Sequence, residues 1–255
     1  MAPGGSKYFL PLVGLAAGLV GGFFGGLVGV GGGALMVPLM TAFAHLSQHK
    51  AHGTSLVAIV FTGAAGALSY GAHGAMDWKA AAMLAASAIL TARLGALYAH
   101  SLSEKKLKRA FGAFLVFISL TLLLKGYLVH PAFALSFWIR AAVYLSAGVL
   151  AGFVSGMMGV GGGGIMVPPM VVLAGMGQHT AQGTSLLAMV LIGTSGASTH
   201  YRLGNVETRV AGGLVVGALA GGYLGGEVAN MLPDLYLRLV FIGVGVWMGA
   251  RYLRS

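Results

Sequence analysis

Two near-identical strings hold the groups best suited to bind a ligand. The first runs Gly29-Val30-Gly31-Gly32-Gly33 with Val37-Pro38 behind it, then Gln48-His49 and Gly53-Thr54-Ser55-Leu56. The second runs Gly159-Val160-Gly161-Gly162-Gly163 with Val167-Pro168, then Gln178-His179 and Gly183-Thr184-Ser185-Leu186. A glycine-rich stretch at the start of a helix leaves backbone N–H groups unpaired, and the helix dipole adds partial positive charge there, so such a place binds anions. Gly31, Gly32, Gly33, Gly161, Gly162 and Gly163 are the candidates. Hydroxyls of Thr54, Ser55, Thr184 and Ser185 would add donors for sulfonate or phosphate oxygens, as would the side chains of Gln48, His49, Gln178 and His179. Each group also has a plainer reading. Glycines let helices pack closely in lipid, Thr54-Ser55 and Thr184-Ser185 would cap the helices they begin, and the Gln-His pairs would face water in loops.

Arg93 is a further candidate, because a guanidinium inside an apolar span needs a cavity or a partner, and an oxyanion would satisfy it bidentately. It also lies less than two turns from the expected end of its span, from which it could snorkel to lipid headgroups. Its repeat counterpart is Tyr223, so the duplication lends it no support.

Other chemistries find little to work with. Gly159–Gly164 contains G-x-G-x-x-G, but no strand pattern precedes it and the next acid is Glu207, so the dinucleotide reading fails on context. The chain has no cysteine, no His-x-x-x-His on a span and no Walker motif. His45, His49 and His52 are closely spaced but read as lying in or beside a loop, and only His49 recurs as histidine. No metal, cofactor or nucleic acid is expected. An intramembrane enzyme or an accessory membrane subunit is the rival class, and it would need a base or metal ligands within the helices.

The elements that position these groups follow from composition. Of 255 residues 57% are hydrophobic and 8% charged, and mean hydropathy is +0.88. A soluble domain carries about a quarter charged residues, so most of this surface must face lipid. The net charge of +10 is therefore read first as a topology signal, not as a nucleic-acid footprint. Ten apolar segments are expected: Tyr8–Val28, Ala34–His45, Thr54–Tyr70, Trp78–His100 and Leu107–Leu124, then Phe137–Met158, Ile165–Met176, Thr184–His200, Thr208–Asn230 and Leu235–Leu253. The segments after the glycine breaks, which carry Pro38 and Pro168-Pro169, are too short to span and read as broken or re-entrant helices. Lys7 before the first apolar run imitates a cleaved signal peptide. The same element recurs inside the chain, which argues against cleavage.

The self-overlay continues through Gly63, Gly66-Ala67 and Gly193, Gly196-Ala197 without a gap, which predicts two homologous membrane repeats, residues 1–130 and 131–255. With five crossings per half and a cytoplasmic N-terminus, ten Lys and Arg fall inside and four outside; four crossings and parallel halves give six against eight. The positive-inside rule selects inverted repeats with both termini cytoplasmic. The expected fold class is an all-α polytopic membrane protein.

The duplicated Gly-Val-Gly-Gly-Gly with Val-Pro (Gly29–Pro38, Gly159–Pro168) and the duplicated Gly-Thr-Ser resemble the sulfite exporter TauE/SafE family of bacterial membrane permeases. That resemblance covers nearly the whole chain. It implies seven or eight spans and transport of small sulfur-containing anions such as sulfite, thiosulfate, sulfoacetate and other organosulfonates across the inner membrane. The partners it implies are that anion and the lipid bilayer. A permease for another small organic anion is the nearest alternative. Since Asp77, Glu104, Glu207 and Asp234 fall in expected loops and Glu227 near a span end, no carboxylate relay is expected. Only His49, His179 or His200 could titrate near the pathway. Transport is accordingly expected to follow the anion gradient and the membrane potential.

Overall fold

Apolar runs punctuated by glycine and proline become helices, and among the described residues every regular element is one. The structure, a computed structural model, describes residues 9–124 and 136–231 and a few positions between 233 and 254. In order the helices are α1 (Phe9–Val28), α2 (Gly33–Phe43), α3 (Gln48–Ala72), α4 (Trp78–Ser101), α5 (Glu104–Leu124), α6 (Phe137–Met158), α7 (Gly163–Val172), α8 (Gln178–Arg202) and α9 (Thr208–Met231). Five of them, α1, α3, α4, α6 and α9, are long and apolar enough to cross a membrane. The expected segment Leu235–Leu253 and the expected repeat boundary at 130 lie outside the described residues.

Most expected bounds agree with the structure, and α6 coincides with its expected range. The central helices differ. α3 begins at Gln48, six residues before Thr54, with Ser47 as N-cap accepting from the Lys50 N–H at 3.3 Å. α8 likewise begins six residues before Thr184, at Gln178, but with Gly177 as N-cap and no side-chain cap. Thr54, Ser55, Thr184 and Ser185 therefore do not cap these helices as expected; they sit in the second turn, fully buried. His49 and His52 likewise lie on α3 rather than in a loop. The polar run Gln48–Gly53 reads as a loop by composition, but the opposite half of the protein covers it, and this tertiary burial decides the helix start.

Helices α2 and α7 have 11 and 10 residues. At 1.5 Å per residue each is about 15–16 Å long, roughly half a hydrocarbon core. This agrees with the broken or re-entrant reading. α2 folds back along α1: an added Cβ at Gly25 would strike Gly32, and one at Gly21 would strike Met36.

Small residues set the remaining packing. Gly14, Gly18, Gly22 and Gly26 of α1 face Val210, Leu214, Ala218 and Gly222 of α9 in ascending order, so these helices run parallel with no room for a Cβ between them. Gly148, Gly152 and Gly156 of α6 face Leu84, Ala88 and Ala92 of α4 in the same manner. Close backbone approach of this kind is how helices associate in lipid. α3 and α8 instead run antiparallel: Gly53 lies against Asn205, Gly63 against Leu186, and Gly183 against Ala75. α8 is the repeat counterpart of α3, and the α1–α9 and α6–α4 pairs are counterparts too. An approximate two-fold axis therefore relates the halves, and it lies across the central helices, because an axis along them would leave the pair parallel.

Candidate functional site

After α1 and after α6 the chain makes the same glycine turn, closed in the first half by the Val30 N–H donating to the Gly25 carbonyl at 3.1 Å. The turn ends at Gly32 (φ 83°) and Gly162 (φ 80°), left-handed residues that begin α2 and α7. A side chain there would be strained, which explains glycine at both positions. Neither N-terminus has a side-chain cap. Its first N–H groups have no intrahelical partner.

The two turns meet. Gly33 packs on Gly159 and Val160, and Gly163 packs on Gly29 and Val30, so closely that either Cβ would overlap the facing carbonyl. Gly31 and Gly161 both face Met189 and Ile59. Ile59 and Met189 are each the twelfth residue of a 25-residue helix, so the turns meet halfway along the α3–α8 pair. Two uncapped, dipole-positive helix ends thus converge at the centre of the molecule, and together they can attract an anion. Gly31, Gly32, Gly33, Gly161, Gly162 and Gly163 are all buried there.

The Gly-Thr-Ser strings stitch one half to the other. Thr54 Oγ1 accepts from the Glu207 N–H and Thr184 Oγ1 from the Asp77 N–H, each at 2.9 Å. Ser55 donates to the Gly159 carbonyl at 2.8 Å, and Ser185 to the Gly29 carbonyl at 2.7 Å. Gly53 and Gly183 admit the backbone of Asn205 and Ala75. In each half the glycine, threonine and serine of the string therefore meet two backbone segments of the opposite half, one loop and one glycine turn. Both serine protons are shared between carbonyls in this conformation, the second acceptors being the carbonyls of His52 and Gln182.

Other candidates lie farther out. Gln48 and Gln178 begin α3 and α8, eleven residues from Ile59 and Met189, about 16 Å along a helix. His49 Nε2 donates to the carbonyls of Ala99 at 3.0 Å and Leu102 at 3.1 Å, and His179 Nε2 to Ala229 at 3.2 Å. These histidines clamp the ends of α4 and α9. Arg93 is exposed on the face of α4 that carries Leu90 and Leu94, so the structure does not bring it to the glycine turns. Its position on the outer surface fits the snorkelling reading.

A family model described as Sulfite exporter TauE/SafE matches residues 14–252. The chain belongs to the sulfite exporter TauE/SafE family. The resemblance read from the duplicated strings is thus confirmed. Relatives carry the name probable membrane transporter protein: one from Xylella fastidiosa is 31% identical over 93% of this chain and 94% of its own. YunE of Bacillus subtilis is 29% identical over 89% of this chain and 93% of its own, and MJ0441 of Methanocaldococcus jannaschii is 23% identical over 94% of each. No solved structure matches.

In this TauE/SafE protein four residues hold the helix ends before the turns; His200 was expected only as a titratable group near the pathway, and His52, Gln182 and Tyr70 were not expected at the site. His200 Nε2 bonds the Gly156 carbonyl at 2.8 Å, and His52 Nδ1 bonds the Met158 carbonyl. At the end of α1 Gln182 donates to the Val28 carbonyl at 3.2 Å, and Tyr70 to the Leu27 carbonyl at 3.3 Å and to Gln182 Oε1 at 3.1 Å. The repeat held a usable signal: His52 aligns with Gln182, and Tyr70 with His200, so two polar positions differ together. Outside the spans, Lys50 Nζ meets Glu207 Oε2 at 2.7 Å, and that hydrogen bond holds the Glu207 carboxyl below the usual carboxylate range.

Proposed function

We propose that this TauE/SafE protein is a secondary transporter of small sulfur-containing oxyanions, sulfite or organosulfonates such as sulfoacetate, across the bacterial inner membrane. The observation that carries the reading is the meeting of two uncapped helix N-termini, α2 and α7, at the middle of the α3–α8 pair. The anion binds between the turns, held by N–H groups of Gly32, Gly33, Gly162 and Gly163, with Gly161 and, once it leaves the Gly25 carbonyl that it meets at 3.4 Å, Gly31 adding theirs. The turns touch in this conformation, so they must part to admit it. Parting also frees the hydroxyls of Ser55 and Ser185, which then exchange a carbonyl acceptor for an anion oxygen. Thr54 and Thr184 hold the loops beside them. The family name supports the sulfur-oxyanion class, and a site of backbone donors without fixed cations suits small anions generally.

The halves, residues 1–130 and 131–255, cross the membrane in opposite senses with both termini cytoplasmic. Support comes from the antiparallel α3 and α8 and from the ten-to-four basic split. It also comes from the loops after α4 and α8, which share one face through Asn205 and His100. A short re-entrant α2 keeps this parity, since α1 and α2 then enter and leave on one side.

Uptake of radiolabelled sulfite and sulfoacetate into proteoliposomes tests the function. Saturable uptake that unlabelled sulfonates compete away is expected; a protein that moves small carboxylates and ignores both sulfur anions belongs to the alternative class. Single cysteines at Ser103 and Arg202 should both label from the cytoplasmic side. Labelling of Arg202→Cys from the periplasm would return the parallel arrangement.

A further inference from the structure

The end of α6 is held by titratable groups where the end of α1 is held by groups that stay neutral, and that difference has a function to explain. Each carbonyl can only accept, so the ring nitrogen beside it carries the proton. His52 therefore bears its hydrogen on Nδ1, towards Met158, and His200 on Nε2, towards Gly156. The remaining nitrogens carry lone pairs. His200 Nδ1 accepts from the Asn205 amide at 3.4 Å, and the same amide nitrogen lies 3.4 Å from Nδ1 of His100, which is exposed. His52 Nε2 is buried with no partner, its ring packed edge-on against Phe111 of α5 with centroids 5.2 Å apart. Both side chains are fully buried.

We propose that His52 and His200 form a proton-binding site that loads a proton together with the anion, so that transport is proton-coupled. This rests on the anion-transport reading above. The proton adds to the unpartnered lone pair of His52 Nε2, giving an imidazolium whose Nδ1–H keeps its carbonyl bond, while His200, its Nδ1 already accepting from Asn205, holds the neighbouring carbonyl of the same helix end. Two features favour it there. The imidazolium sits at the C-terminal, dipole-negative end of α6. An oxyanion arriving between the turns next to Met158 and Gly159 brings the opposite charge, and by linkage each ligand raises the affinity for the other. The counterpart positions, Gln182 and Tyr70, cannot take a proton near neutrality. Only the end of α6 is so equipped.

The surroundings leave these imidazoles as the nearest titrating groups. From α3 the pair is faced by His49, and Lys50 is committed to Glu207 of the α8–α9 loop. From α4 comes His100; from α5 comes Glu104, 3.8 Å from His49 Nδ1, with Lys105, Lys106 and Arg109 exposed and Lys108 half-buried. From α6 come main-chain carbonyls and the buried Ser155 hydroxyl. Arg202 and Arg209, at the facing ends of α8 and α9, are exposed. This departs from the expectation that the anion gradient alone drives transport, because the sequence could not show that His52 and His200 share one helix end.

The repeat itself supplies the test variant. H52Q/H200Y rebuilds the end of α6 with the Gln and Tyr that the end of α1 already packs. Proteoliposomes of wild type and variant, clamped with potassium and valinomycin and loaded with a pH dye, are given thiosulfate, which has no proton to exchange near neutrality. Wild-type uptake should acidify the lumen, and a one-unit pH gradient should change thiosulfate accumulation about tenfold, the limit for one coupled proton. H52Q/H200Y should move thiosulfate without acidification and without response to the gradient. The single variant H52Q, which removes the unpartnered nitrogen, gives the same readout if the double variant is recovered poorly. Thiosulfate flux in wild type without proton movement, or proton movement that survives in the variants, overturns the proposal while the anion reading stands. A wild type that moves none of thiosulfate, sulfite and sulfoacetate ends both.

Discussion

At the end of α1 the carbonyls of Leu27 and Val28 are held by Tyr70 and Gln182; at the end of α6 those of Gly156 and Met158 are held by His200 and His52. The glycine turns that follow are alike to within a few degrees of φ: 73°, 92° and 83° at Gly29, Gly31 and Gly32, against 65°, 95° and 80° at Gly159, Gly161 and Gly162. The contrast separates two kinds of constraint. Where backbone meets backbone across the two-fold, any side chain overlaps a carbonyl, so both copies must keep glycine. Where a side chain reaches a carbonyl, any donor of the right length serves, and the copies can diverge towards different chemistry.

The strongest way to break the comparison is at the shared backbone contact. Gly33→Val and Gly163→Val each force a side chain into the opposite turn, and each should cost more than about 3 kcal/mol, enough to lose the folded protein. Recovery of monodisperse protein after detergent extraction measures this. Equal loss is expected from both, whereas Gly212→Ala, with open space around it, should be recovered normally. Different fates for the two valines would mean that the halves do not share this contact equally.

The copies also differ at Gly25 and its counterpart Ser155. An added Cβ at Gly25 would strike Gly31 and Gly32, yet Ser155 occupies the same position in the second half, its hydroxyl buried without a partner. The second turn is therefore built to admit a side chain. Gly25→Ser should destabilise by about 1–3 kcal/mol. Ser155→Gly should stay within about 1 kcal/mol, because the helix cost of glycine is offset by removal of an unsatisfied hydroxyl. Thermal unfolding of the purified variants ranks them, and similar losses from both would remove the asymmetry.

Smaller again is the cross-stitch. Ser55→Ala and Ser185→Ala each remove one hydrogen bond to a turn carbonyl of the opposite half, for about 1–2 kcal/mol apiece. If the freed hydroxyls also bind anion, the pair together weakens sulfite binding more than either alone, in calorimetry on the purified protein. Unchanged affinity in the double variant would leave these serines a structural role only.

What the sequence disclosed follows the same division. The glycine turns were legible because residues tolerant of left-handed backbone cluster where a helix must stop, and the repeat made them visible twice. The expected range of α6 needed no tertiary information, since Ser136 and Gly159 bracket one apolar run. The start of α3 was hidden, because Gln48 to Gly53 are polar and only the opposite half buries them. The duplicated Thr54-Ser55 and Thr184-Ser185 were singled out, but their partners, backbone groups of Glu207, Asp77, Gly159 and Gly29, lie more than 100 residues away. Of the donors on the helix ends, His52 and Gln182 also lie more than 100 residues from their carbonyls and Tyr70 and His200 more than 40, and His52 was set aside as a loop residue.

The subtlest difference between the halves lies at their surface. Lys50 and Glu207 tie the start of α3 to the α8–α9 loop at 2.7 Å, while their counterparts, Thr180 and Asp77, cannot form an ion pair. The Glu207 carboxyl is depressed chiefly by the Lys50 hydrogen bond, so its contribution to stability is fully present above the ordinary carboxylate pKa. It is lost as pH falls from about 4 through the depressed value. The Lys50 side chain is 44% exposed and solvent screens the pair, so the effect is about 0.5 kcal/mol. Hydrogen exchange should therefore rise at residues 203–207 between pH 6 and pH 3, after correction for the intrinsic rate, and not at residues 73–77. In Lys50→Met the acid-induced rise should shrink, since the largest cause of the depressed carboxyl is gone and burial opposes what Arg209 still contributes. A matching rise at 73–77 would mean that acid loosens both faces, and that the asymmetry between the halves is confined to the helix ends around the central turns.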